Sequence, residues 1–101
     1  MQVLITGSAG FIGYHLAKAL ARQDIATYGI DSINSYYDVS LKKARLKACG
    51  IDLSRQEQEY RSTLYPNYTF RQMDLCDKPA LDALFASRAF DTVINLAAQA
   101  G

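Results

Sequence analysis

A chain of 101 residues, 50% of them hydrophobic, is the size of one small domain and has ample apolar surface for a packed core. Its formal net charge of +1, with 21% charged residues, gives no electrostatic reason to expect nucleic acid or an anionic membrane as a partner. No stretch reaches the ~18 unbroken apolar residues of a membrane span, and the opening MQVLITG lacks the basic region and small-residue cleavage site of a signal peptide.

Strand-like runs alternate with helical patterns along the chain. Residues 2–6 (QVLIT) are short, β-branched and bounded by Gly7, which predicts a first strand. Residues 11–22 carry Ile12, Leu16, Ala19 and Leu20 at the spacing of one buried helical stripe. A second strand is predicted over 26–31 (ATYGID), followed by a helix over 39–48 with Asp38 as N-cap and Gly50 just past its end. Residues 53–65 are polar, and Ser54 with Glu57 fits a capping box, so a short extra helix is expected there. The third strand, 68–73 (YTFRQM), alternates polar and apolar residues. Pro79 opens a helix over 79–87, and residues 91–96 (DTVINL) form the fourth strand. Cys49 and Cys76 are too far apart for a CxxC metal or redox motif and read as reduced thiols of a cytosolic protein.

This β-α-β-α-β-α-β order implies an α/β fold: a parallel sheet with right-handed crossovers and helices on both faces. The expected form is the N-terminal half of a Rossmann-type doubly wound sheet, in strand order 3-2-1-4. Runs such as VLI and VIN suit strands buried on both sides. Strands 1 and 4 should meet at the topological switch point, where such sheets bind ligands.

Three glycines, Gly7, Gly10 and Gly13, stand where the first strand hands over to the first helix. Gly7 suits a tight turn that a Cβ would obstruct. Gly10 lets a phosphate approach the backbone, and Gly13 lets the helix sit tightly on the strand. Amides around residues 10–13 lie at the positive end of the helix dipole, which favours a pyrophosphate. No lysine follows as in GxxxxGK[ST], so a P-loop nucleotidase is disfavoured. A glycine-rich strand-helix turn is the plain structural alternative. Against it stands Asp31, 18 residues after Gly13, near the offset at which an acid bonds the adenosine ribose hydroxyls. A carboxylate there repels a 2′-phosphate, so the expected cofactor is NAD and not NADP.

With these residues placed, the sequence resembles the extended short-chain dehydrogenase/reductases of the NAD-dependent epimerase/dehydratase family. Residues 6–13 (TGSAGFIG) follow that family's TGxxGFIG form of the fingerprint. Within the family, GIDSINSYYDVSLKKARL (29–46) and FDTVINLAAQAG (90–101) look most like the UDP-glucuronate 4-epimerases. Ser32 stands where those epimerases usually have Asn, and Asn95 where they usually have His. The resemblance implies a cofactor site made of Gly7, Ala9, Gly10, Phe11, Ile12, Gly13, Asp31, Ser32, Asn34 and Ser35. Asp74 and Leu75 would add the adenine contact, and Leu96, Ala97, Ala98 and Gln99 the nicotinamide side.

Such epimerases oxidise C4 of a nucleotide-sugar by hydride transfer to bound NAD+, and return the hydride to the other face of the keto intermediate. The implied function is thus the NAD-binding portion of a nucleotide-sugar 4-epimerase. A sugar-nucleotide 4,6-dehydratase or a non-catalytic dinucleotide sensor of the same fold are the alternatives. The family's Tyr-x-x-x-Lys pair lies on a helix well after the fourth strand. The expectation is therefore that catalytic helix and substrate domain lie outside residues 1–101, that no catalytic residue is present, and that the chain alone is inactive. Tyr14 and Lys18 match Tyr-x-x-x-Lys only formally and read as a partly exposed helix face. His15 has no Cys, Asp or Glu at helical ligand spacing, so no metal site is expected. Lys42, Lys43, Arg45 and Lys47 read first as a solvated helix face, and second as a polar rim near the adenosine; Tyr36 and Tyr37 fit equally beside that rim, in the core or at a contact between molecules. The fourth strand, with apolar Val93, Ile94 and Leu96, is expected to leave an edge through which the chain self-associates.

Overall fold

Four strands lie side by side and parallel, because each intervening helix carries the chain back to the same end of the sheet. The computed structural model describes residues 1–33 and 39–96. The elements are β1 (Gln2–Thr6), α1 (Phe11–Arg22), β2 (Ala26–Asp31), α2 (Val39–Ala48), β3 (Tyr60–Arg61), β4 (Tyr68–Gln72), α3 (Lys78–Ser87) and β5 (Thr92–Asn95). Sheet order is β3-β4-β2-β1-β5, which contains the expected 3-2-1-4 order. One strand was not foreseen: β3 pairs antiparallel with β4, through Tyr60 opposite Phe70, and makes the sheet mixed. Only two residues long, β3 has no periodicity to read. It exists because the Ser62 hydroxyl accepts from the amides of Leu64 (3.1 Å) and Tyr65 (2.8 Å), folding the intervening turn back on β4.

Alternation along the strands divides the core into two layers. Val3 and Ile5 face Ala17 and Ala21 of α1 and Leu46 of α2, whereas Leu4, Tyr28 and Ile30 face Leu84 of α3. Helices therefore cover both faces, as expected. The stripe on α1 differs from its sequence reading. Gly13, Ala17 and Ala21 are buried, while Ile12 is 66% exposed and Ala19 is exposed. Small residues face the sheet because α1 packs close to it, and the larger Leu16 and Leu20 flank that contact. Periodicity located the helix; which face turns inward was decided by the distance of closest approach.

Two further expectations change. The turn at 53–55 is a single 3-10 turn (Leu53–Arg55), capped by Asp52 and not by Ser54. Asp52 Oδ1 accepts from the Ser54 amide at 3.0 Å, while the Glu57 amide donates to the Tyr60 hydroxyl, so no capping box forms. Gln56 in the left-handed region (φ 49°) then stops the turn. The third helix begins one residue before Pro79, at Lys78, because Asp77 is its N-cap and accepts from the Ala80 amide at 3.3 Å. The fourth predicted strand, β5, is not buried on both sides. Thr92, Val93 and Asn95 are exposed, since β5 pairs only with β1 among the described residues. Gly50 takes φ 80° just past α2, as the sequence suggested, whereas Asp38, Tyr36 and Tyr37 lie outside the described residues.

Candidate dinucleotide site at the carboxyl edge of the sheet

Register places the site. Thr6 pairs with Ile30 and with Asn95, and Asp31 pairs with Gln72, so β1, β2, β4 and β5 all end at one edge. Residues just beyond those ends are therefore brought together: the glycine loop, Asp31 with Ser32, Met73 with Asp74, and Leu96.

The loop itself is a tight turn stitched to β2. Gly7 adopts φ 77°, a conformation that side chains rarely take, and its amide donates to Ile30 C=O at 2.8 Å. Gly10 N–H turns back to Gly7 C=O at 3.1 Å, so this amide is committed within the loop. The first intrahelical bond runs from Tyr14 N–H to Gly10 C=O at 2.9 Å. The amides of Phe11, Ile12 and Gly13 precede it, at the positive end of α1. Gly13 does allow a close approach, but to the loop and not to the strand. A Cβ there would lie 2.1 Å from the Gly7 carbonyl oxygen and 2.9 Å from Ser8 Cα. Backbone atoms cannot swing aside, so Gly13→Ala must displace the start of α1, an overpacking of about 1–3 kcal/mol. We expect its melting temperature to fall by at least ~4 °C. A Gly13→Ala protein that melts with the wild type in calorimetry would contradict this packing.

Asp31 is the centre of the arrangement. Its side chain is 3% exposed, and among the described residues its two oxygens accept three donors. Oδ2 takes the Ala9 amide of the glycine loop at 3.1 Å, while Oδ1 takes the Ile33 amide at 2.8 Å and Lys42 Nζ at 3.0 Å. The bond to Ile33 holds that β-branched residue at φ 53°, a left-handed backbone that costs of order 1–3 kcal/mol. A carboxylate offers about four acceptor positions, and among the described residues Oδ2 takes one donor and Oδ1 two. Next to the loop, burial pushes the Tyr68 hydroxyl well above the usual phenol range, against the lowering effect of a neighbouring Ser8 hydroxyl.

The basic run on α2 is not simply a solvated face. Lys43 and Lys47 are exposed, but Lys42 is buried against Asp31. Arg45 reaches over the glycine loop, donating to Ala9 C=O at 3.2 Å with its guanidinium 5.8 Å from the Phe11 ring centre. The sequence's second reading, a polar rim near the adenosine, took the run as a whole and did not single out Lys42 and Arg45. Their i, i+3 spacing puts them on one helical face, the only local signal available.

Other expected site residues fall into three groups. Ser32 and Asp74 line one open cleft of about 580 Å³, together with Tyr60, Arg71 and Met73. Leu75 packs against the α3-side core and Leu96 against the α1-side core, while Leu96 N–H donates to Thr6 C=O at 3.0 Å. Asn34, Ser35, Ala97, Ala98 and Gln99 lie outside the described residues. Asn95 on β5 accepts from the Thr6 hydroxyl of neighbouring β1. Lys18 Nζ lies 3.4 Å from the Tyr14 hydroxyl within α1, and His15 packs edge-on against Phe11. Cys49 is buried, which pushes its thiol up, and Cys76 is exposed. Among the described residues no helix is long and apolar enough to cross a membrane.

Comparison with known proteins agrees with this geometry. The family model described as GDP-mannose 4,6 dehydratase matches residues 4–101. The chain is 45% identical over 101 residues to protein CapI of Staphylococcus aureus, covering 100% of this chain and 26% of that protein. It is 37% identical over 98 residues to a UDP-glucuronate 4-epimerase of Thermodesulfobacterium geofontis, covering 97% of this chain and 26% of that enzyme. Among solved structures, the UDP-glucuronic acid 4-epimerase Y149F mutant from Bacillus cereus, in complex with a fluorinated UDP-glucuronic acid and NAD, superposes with a TM-score of 0.73. Identity there is 27%, over 100% of this chain and 27% of that one. The chain thus spans about a quarter of the length of these relatives.

Proposed function

The chain belongs to the NAD-dependent epimerase/dehydratase family, and from that premise we propose that it is the NAD-binding portion of a nucleotide-sugar 4-epimerase of the UDP-glucuronate type. One observation carries the cofactor assignment: the Asp31 carboxylate is held against the Ala9 amide, joining the ribose-binding acid to the phosphate-binding loop. The residues fit a dinucleotide. Amides of Phe11, Ile12 and Gly13 at the start of α1 hold the pyrophosphate, with Arg45 adding positive charge beside them. Asp31 would accept from a ribose hydroxyl. Ser32 and Asp74 border the cleft into which the adenosine end extends. Bound NAD supplies the hydride acceptor and donor for chemistry at C4 of the sugar.

The epimerase assignment draws on the relatives named UDP-glucuronate 4-epimerase. The description of the matching family model favours a second reading, a 4,6-dehydratase. Both share every feature of the loop and of Asp31. Sparse cysteine usage, two in 101 residues with no CxxC spacing, supports a cytoplasmic location. Calorimetry tests the cofactor: NAD(H) is expected to bind more tightly than NADP(H), and equal or tighter NADPH binding would overturn the role of Asp31. The 101-residue chain is expected to form no UDP-galacturonate from UDP-glucuronate and NAD+. Its one Tyr-x-x-x-Lys pair, Tyr14 and Lys18, is spent within the first helix after the glycine loop. Product above background in that incubation would refute the assignment of catalysis elsewhere.

A further inference from the structure

We infer that Lys42 sets the strength of cofactor discrimination, by neutralising the carboxylate that would otherwise repel a 2′-phosphorylated adenosine. This rests on the NAD assignment above. The ammonium of Lys42 lies 3.0 Å from Asp31 Oδ1, and the two side chains are 11% and 3% exposed. Burial matters here, because charges screened by little water act strongly on one another and on whatever docks beside them. A lone carboxylate presents a full negative charge to a 2′-phosphate. An ion pair presents a dipole whose field falls off faster, and its cation is itself a phosphate-binding group. Arg45, one turn further along α2 and donating to Ala9 C=O, adds a second positive charge on the same side.

The site therefore combines two opposed elements. Asp31 selects NAD through its hydrogen bond to the ribose hydroxyl, while Lys42 cancels most of the charge repulsion that would reject NADP. The wild-type preference for NAD is accordingly small, less than about tenfold in Kd, equivalent to ~1.4 kcal/mol. Lys42 is a positioning residue in this scheme, acting on the cofactor through Asp31.

Titration calorimetry with NAD and NADP on the purified wild type, Lys42→Gln and Lys42→Arg tests it. The amide of Lys42→Gln can still donate to Asp31 but carries no charge, so the ratio of the NADP to the NAD dissociation constant is expected to rise by about tenfold or more. Lys42→Arg keeps the charge and is expected to leave that ratio within about twofold of wild type. A structural ion pair alone would weaken both cofactors together and leave the ratio fixed. An unchanged or lowered ratio in Lys42→Gln overturns the inference. So does a wild-type ratio above about tenfold, a measurement that needs no variant to fold. Wild-type protein that binds neither dinucleotide overturns the NAD assignment, and this inference with it.

Discussion

Asp31→Asn is expected to lower the melting temperature by more than about 10 °C, the largest stability effect of any single substitution at the site. The carboxylate accepts from the Ala9 and Ile33 amides and from Lys42 Nζ, at 3.1, 2.8 and 3.0 Å. Asparagine has nearly the same shape, but it is neutral and only one of its terminal atoms accepts. A donor among these must then face the amide's own N–H, and the buried ion pair with Lys42 loses the charge on one side. Removing one partner of a buried ion pair typically costs about 3–5 kcal/mol. A surface pair, by contrast, contributes about 0–1 kcal/mol. At roughly 4–8 °C per kcal/mol for a domain of this size, the two cases are well separated in a thermal melt. A shift under about 3 °C would mean that the cluster stabilises no more than an exposed ion pair. The strained backbone at Ile33 depends on the same carboxylate, so the Ile33 amide should lose protection from hydrogen exchange first.

That cluster also marks the boundary of what the sequence could reveal. Gly7, Gly13 and Asp31 were legible because their roles are local. A turn needing positive φ selects glycine, a helix start pressed on a carbonyl admits no Cβ, and an acid ending a strand announces itself by its offset. The parallel order followed from alternating periodicities and the handedness of crossovers. Lys42 was not legible. Its placement depends on α2 bringing it to Asp31, 11 residues earlier, and side-chain spacing along α2 does not encode that approach. The inward face of α1 was misplaced for a related reason. Hydrophobicity alone ranks Ile12 above Gly13, yet the close contact with Gly7 requires the smaller residue to face inward. The hairpin partner β3 escaped notice because a two-residue strand is defined by the Ser62 turn and by β4, not by any pattern of its own.

The outer edge of β5 leads to the second large effect, a change of oligomeric state. Among the described residues β5 pairs with β1 on one side only, in a register that leaves its other row of amides and carbonyls without a strand. Soluble proteins usually protect such edges with charge, proline or a bulge. Here Thr92, Val93, Ile94 and Asn95 carry none of these, and Asp91 stands before the strand with one carboxylate oxygen accepting from the Gln2 amide at 2.6 Å. Alternation along β5 refines the sequence expectation. Ile94 and Leu96 pack against the α1-side core, whereas Val93 is 47% exposed. Val93 is therefore the apolar residue left for a partner, and a lysine at Ile94 would damage the core instead of testing the edge. A second copy of the chain presents the same edge, and two copies related by a twofold axis can pair antiparallel there, each satisfying the other's backbone. The purified 101-residue chain is expected to form dimers at high micromolar concentration, and Val93→Lys to shift it to monomer without altering its circular dichroism. Light scattering distinguishes the outcomes: a wild-type chain that stays monomeric over that range, or a Val93→Lys chain that dimerises equally well, would show that β5 is not the contact.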